Sequence, residues 1–164
     1  MKIRDIVARW PGSAHDVNIF NNSRIKQKFE SREFGDAILL GDSGYENSNY
    51  MLTPLSNPLT PQENLYNESQ IRTRNVVERQ YGVWKRRFLI IAGTMITSIE
   101  RTKVIIVATA VLHNIALDQK DPLPTSIMED NEINEDNNVI LPVGNDTRRR
   151  NLINNYFTNL LKSL

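Results

Sequence analysis

Two carboxylates and a group of cations carry the chemistry this sequence could perform. Asp42 follows the short apolar run Ala37-Ile38-Leu39-Leu40 and stands between Gly41 and Gly44. A continuous apolar run closed by glycine suits a strand covered on both faces. In α/β sheets, ligands and metals bind beyond the carboxyl ends of such strands, which is where Asp42 falls. Glu78 lies further on, followed by Arg79, Lys85, Arg86 and Arg87. Carboxylate oxygens are hard ligands that suit Mg2+ or Mn2+, ions that keep waters and take phosphate oxygens as further ligands. Two such ions, roughly 3.5–4 Å apart, clamp the attacking and leaving oxygens of a phosphodiester. The neighbouring cations would hold a phosphate backbone and offset its charge. Each carboxylate also has a plainer reading: Asp42 as a turn former or helix cap, Glu78 in a surface ion pair.

The elements that must position these groups follow from pattern. Lys2 to Trp10 is rich enough in β-branched and aromatic residues for a strand, ended by Pro11-Gly12. Ser13 or Asp16 then caps a helix running through Val17, Ile19, Phe20, Ile25 and Phe29. Prolines at 54, 58 and 61 mark the stretch from Thr53 as a loop. A helix begins near Gln70 or Asn75, with Val77, Tyr81, Trp84, Phe88 and Ile91 on one stripe and Gly93 past its end. Glu78 lies beside that stripe, with Gly82 and Lys85 on the same side. A second long helix opens on Thr97-Ser98-Ile99-Glu100, a capping-box pattern, and runs to about Leu117. Its apolar positions Val104, Val107, Ala108, Val111, Leu112 and Ile115 read as a buried stripe around His113, which reads as a packed core histidine. Residues 119–147 are acidic and Asn-rich and read as a mobile linker. Residues 148–164 close with an amphipathic pattern at Leu152, Tyr156, Leu160 and Leu164, and no internal repeat is found.

Composition narrows the class. A chain of 164 residues is one domain's worth, and 40% hydrophobic with 24% charged residues is ordinary for a globular protein. With no cysteine, a disulfide framework, a zinc–thiolate site and a thiol nucleophile are all excluded. The opening MKIRDIVARW carries charges throughout and does not read as a signal peptide. No apolar run reaches the roughly 18 residues of a membrane span, so a soluble intracellular protein is expected. Net charge is +1, yet Arg72, Arg74, Arg79, Lys85, Arg86 and Arg87 face the single acid Glu78 between residues 72 and 87. Seven acids then face only Lys120 between residues 118 and 136. Such a split marks either a polyanion-binding face with a separate tail or two solvated faces.

Four ordered segments carry a family resemblance. Trp10-Pro11-Gly12-Ser13-Ala14-His15-Asp16, Leu40-Gly41-Asp42-Ser43-Gly44-Tyr45, the run from Asn75 to Phe88 (NVVERQYGVWKRRF) and Leu112-His113-Asn114 together resemble the signature of PIF/Harbinger-type DDE transposases. The domesticated Harbinger-derived nucleases of animals share that signature. Met51-Leu52-Thr53-Pro54-Leu55 is also similar to the family, and the resemblance extends from about Ile6 to Leu117. It implies an α/β, RNase H-like mixed sheet with flanking helices, over residues 1–118, carrying a DDE carboxylate triad. On this sequence the second Asp of the triad maps to Asp42 and the Glu to Glu78. Asp16 resembles a further metal-associated position, against its plainer reading as a helix N-cap, while His15 reads as orienting the turn or satisfying a hydrogen bond rather than binding metal. Arg79, Lys85, Arg86 and Arg87 would then be nucleic-acid contacts.

The resemblance also implies a divalent cation, Mg2+ or Mn2+, DNA as substrate, a Myb/SANT-like protein as partner, and a place in the nucleus or cytoplasm. One departure stands out. The family's first triad Asp sits on a strand well before the Trp-Pro-Gly-Ser segment, whereas nine residues precede Trp10 here. The expectation is therefore a domain lacking the first strand or strands and one metal ligand, with weak or absent cleavage. Three readings stay open: a nuclease of DNA phosphodiesters, a non-catalytic remnant that binds DNA or a protein, and an ordinary α/β domain whose carboxylates are structural.

Overall fold

The computed structural model describes residues 2–10, 14–124 and 146–163. Two compact units emerge, one of Asp16–Asn75 with Asn134–Leu164, the other of Met1–His15 with Val76–Ile133. Helix α3 (Pro61–Arg87) passes from the first unit into the second.

In the first unit, α1 (Asp16–Asn21) and α2 (Arg24–Glu30) stand where the sequence predicts one helix. Ser23 divides them: its hydroxyl donates to Phe20 O at 2.6 Å and accepts the Lys26 N–H at 3.2 Å. A side chain that bonds the backbone on both sides ends one helix and caps the next. Strands β1 (Leu39–Leu40) and β2 (Met51–Leu52) pair in parallel, Leu39 with Met51 and Leu40 with Leu52. Among the described residues this pair is the whole sheet.

Helix α3 begins at Pro61, within the stretch read as loop. The Glu63 carboxylate accepts the N–H groups of Leu59 and Thr60, each at 2.8 Å, and Thr60 Oγ1 accepts the Glu63 N–H at 3.4 Å. This capping box sets the start, and Pro61 occupies the first turn, where a missing N–H costs nothing. The same backbone donors hold the Glu63 carboxyl below its ordinary range. The C-terminal segment is helical from Thr147 to Lys162, as α5 (Thr147–Asn151), a wider π-type stretch (Leu152–Phe157) and α6 (Thr158–Lys162). Ile153 and Phe157 are its buried apolar residues and pack on Tyr66 of α3, with the Tyr66 and Phe157 rings edge to face at 5.7 Å. Tyr156, read as part of the apolar stripe, is exposed instead. The π-type winding places Ile153 and Phe157 inward and turns Tyr156 to solvent. Leu164 and residues 125–145 of the expected linker lie outside the described residues.

In the second unit the expected strand at Lys2–Trp10 does not form, because a strand needs a ladder partner. A side-chain amide takes that place at one residue: Asn114 Oδ1 accepts the Ile3 N–H at 2.9 Å and its Nδ2 donates to Ile3 O at 2.8 Å. After α3 a short 3-10 turn (Leu89–Ile91) follows, earlier than the end expected at Gly93. Helix α4 (Ile99–Asp118) forms where expected, but without the predicted capping box. Thr97 Oγ1 lies 2.9 Å from Thr102 Oγ1, and Glu100 bonds Lys103 at 2.8 Å. The burial of α4 also differs from expectation. Thr109, Ala110 and His113 are buried, while Val104, Val107, Val111, Leu112 and Ile115 are exposed. His113 is 1% exposed, as a packed core histidine requires.

Candidate nuclease site

Asp42 stands at the carboxyl end of β1, in a turn that the backbone fixes closely. Leu39 N–H donates to Tyr50 O at 2.7 Å and Gly41 N–H to Leu52 O at 3.0 Å, so the ladder runs up to the residue before the carboxylate. Asp42 O then accepts the Tyr45 N–H at 3.2 Å, closing the turn. The carboxylate itself is held twice. Oδ1 accepts the Gly44 N–H at 2.8 Å, and Oδ2 lies 3.6 Å from Nη1 of Arg74 on α3. Close approach favours glycine at both flanks. A Cβ on Gly41 would meet Met51 Sδ at 2.9 Å and the Tyr45 ring at 3.1 Å; one on Gly44 would meet Asp42 Oδ1 at 3.0 Å.

Beneath the turn runs a row of α3 side chains that bond extended backbone. Tyr66 donates its hydroxyl to Thr53 O at 2.8 Å. Asn67 accepts the Leu55 N–H at 2.8 Å and donates to Leu55 O at 2.9 Å. Gln70 donates through Nε2 to Gly41 O at 2.6 Å and to Leu52 O at 3.4 Å. Burial pushes the Tyr66 phenol up to about 12, with Arg149 opposing and Asp146 adding to the rise. From the far side, buried Arg149 reaches Thr53 O at 3.2 Å and Pro54 O at 3.3 Å while bonding Asp146 at 2.5 Å. For Asp146, burial alone would raise the carboxyl, but hydrogen bonds and charge from Arg150 and Arg149 outweigh it and hold it below its ordinary value. None of these supports was read from sequence. A buried arginine in a polar run, or an amide on a helix, has no periodic signature.

The other sequence-expected residues fall as follows. Asp16 opens α1 on an exposed turn, and among the described residues its side chain makes no hydrogen bond or ion pair. Glu78 is exposed on α3 in the second unit, whereas Asp42 belongs to the first. Arg79 and Lys85 are exposed, and Arg86 is half-buried. Arg87 is already engaged. Its guanidinium pairs with Asp121 and donates to Pro122 O at 3.3 Å, tying the end of α3 to the segment after α4. Among the described residues no three His, Asp or Glu side chains gather to hold a metal ion. Asp42 has the Arg74 guanidinium as its cation instead. The described residues therefore do not by themselves form a cage for Mg2+ or Mn2+.

A carboxylate at the end of a parallel strand, steadied by a helix packed beneath, defines an α/β domain with its candidate chemistry at the strand ends. Residues 1–114 match the model of the DDE superfamily endonuclease family, and the chain belongs to that family. It is 33% identical over 157 residues to the mouse protein named "Putative nuclease HARBI1", covering 91% of this chain and 45% of that protein. The human protein of the same name is 34% identical over 116 residues, 69% of this chain and 33% of the relative. "Protein ALP1-like" of Arabidopsis thaliana is 26% identical over 140 residues, 74% of this chain and 34% of the relative. The chain thus spans less than half the length of these curated relatives. The Harbinger-type recognition made from the four motifs is met by these matches. No solved structure matches the chain.

Proposed function

We propose that this chain is part of a Harbinger-type, transposase-derived nuclease that hydrolyses DNA phosphodiester bonds with the aid of a divalent cation. The observation that carries the reading is Asp42 fixed at the carboxyl end of a parallel strand, in a chain of the DDE endonuclease family. Asp42 and Glu78 are the carboxylates of the reaction in this reading, and Asp16 is an auxiliary one. An RNase H-like sheet, larger than the described pair, is part of the same proposal. Dependence on Mg2+ or Mn2+ comes from the family and from the hardness of carboxylate oxygen, not from a cage among the described residues. In this reading Arg79 and Lys85, both exposed, contact phosphates without reading sequence. Location in the nucleus and assembly with a Myb/SANT-like protein belong to the proposal through the family alone.

A second reading has its own support. Asp42 is paired with Arg74, and no three ligands gather among the described residues. A binding module that retains the lineage's DNA contacts, without hydrolysis, would look like this. Supercoiled plasmid incubated with the chain and Mn2+, against an EDTA control, separates the two. Weak metal-dependent nicking is expected of the first reading. Salt-sensitive duplex binding with no nicking would favour the second.

A further inference from the structure

Gln70 is a buried glutamine, and its burial has a cost. It is 4% exposed, and Oε1 is buried without a hydrogen-bond partner among the described residues. A buried carbonyl left unpaired costs about 1–3 kcal/mol, so methionine or leucine would fill this position more favourably. The other end of the amide accounts for the choice. Nε2 meets two carbonyl oxygens, Gly41 O at 2.6 Å and Leu52 O at 3.4 Å, which only a donor can do. Both carbonyls lie where the parallel strands end, and Gly41 is the residue immediately before Asp42. One helical turn further along α3, Arg74 meets the Asp42 carboxylate directly.

We infer that Gln70 is a positioning residue for Asp42: by gripping the peptide that precedes it, the amide sets where the carboxylate points. Tyr66 and Asn67 hold the segment after β2, and Gln70 is the member of this row that reaches the β1 side. The importance of that aim rests on the reading of Asp42 as a reaction carboxylate, but the aim itself is independent of it.

The hydrogen bond from Gly44 N–H to Asp42 Oδ1 reports the carboxylate's position without metal or activity. Amide hydrogen exchange on the full chain should show Gln70→Met lowering protection at Gly44 by about tenfold. The amides of α2, capped independently by Ser23, should be unchanged. Gln70→His, which restores a ring N–H donor, should recover part of the loss and serves if the methionine variant folds poorly. Unchanged Gly44 protection in Gln70→Met, or equal loss in α2 and at Gly44 in both variants, would overturn the inference. Separately, Mn2+ should broaden the Asp42 and Gly44 signals of the unmodified chain. If it does not, the metal reading of Asp42 fails, while the positioning role of Gln70 is still decided by the exchange rates.

Discussion

The turn at Asp42 and the helix face at Glu78 hold their carboxylates in opposite ways. Asp42 is set by a strand ladder, two close-fitting glycines, a backbone N–H and a buried amide beneath. Glu78 stands on an exposed stretch of α3. Close backbone packing therefore marks the turn that carries the first carboxylate, whereas the second lies on an exposed helix face. Fold stability should be sensitive to changes around Asp42 and nearly indifferent to changes around Glu78.

The largest effect is expected at the base of the Asp42 unit. Tyr66→Ala removes the ring that packs on Phe157 and Ile153 and should cost about 3–5 kcal/mol in urea denaturation. Next comes the contrast between two glycines. Gly41→Val drives a side chain against Met51 and Tyr45 and should cost about 1–3 kcal/mol. Gly82→Ala, on the Glu78 side, has its nearest contact at the end of the Arg86 side chain, at 3.2 Å. It should stabilise the helix by up to ~1 kcal/mol, and a loss there would break the comparison.

Smaller and more specific is Tyr66→Phe, which keeps the ring but removes the donor to Thr53 O; its expected cost is about 0.5–1.5 kcal/mol. It carries a pH signature. The folded phenol is raised from 10.0 to about 12, so its contribution is complete below pH 10 and is lost as pH rises toward 12. The unmodified chain should lose stability more steeply than Tyr66→Phe across that window. Smallest of all, Glu78→Gln should leave stability within about 0.5 kcal/mol.

Much of this contrast was legible in the sequence, for physical reasons. An apolar run closed by Gly-Asp-Ser-Gly reads as a strand end and turn, and β1 and Asp42 lie there. The strand, however, is only Leu39–Leu40 and half-buried, with Ala37 and Ile38 exposed rather than covered on both faces. The family recognition likewise rested on local runs of residues. What escaped were interactions that a local pattern does not encode. Ser23 splits a helix by bonding backward and forward, and Thr60 with Glu63 starts α3 at a proline read as loop. The stripe on α4 had the right period, but period does not say which face finds a partner. Thr109 and His113 are buried while Val104 and Val111 are not. Gln70, Asn67, Asn114 and Arg149 act by bonding backbone well removed along the chain, which leaves no periodic trace.

We propose that Asp42 and Glu78 serve the same reaction. This proposal is tested most directly by Mn2+-dependent nicking of supercoiled plasmid with Asp42→Asn and Glu78→Gln, each normalised to its folded fraction. Loss of nicking in both variants, with the fold intact in Glu78→Gln, is the expected result. Nicking by the unmodified chain that survives either substitution would contradict it.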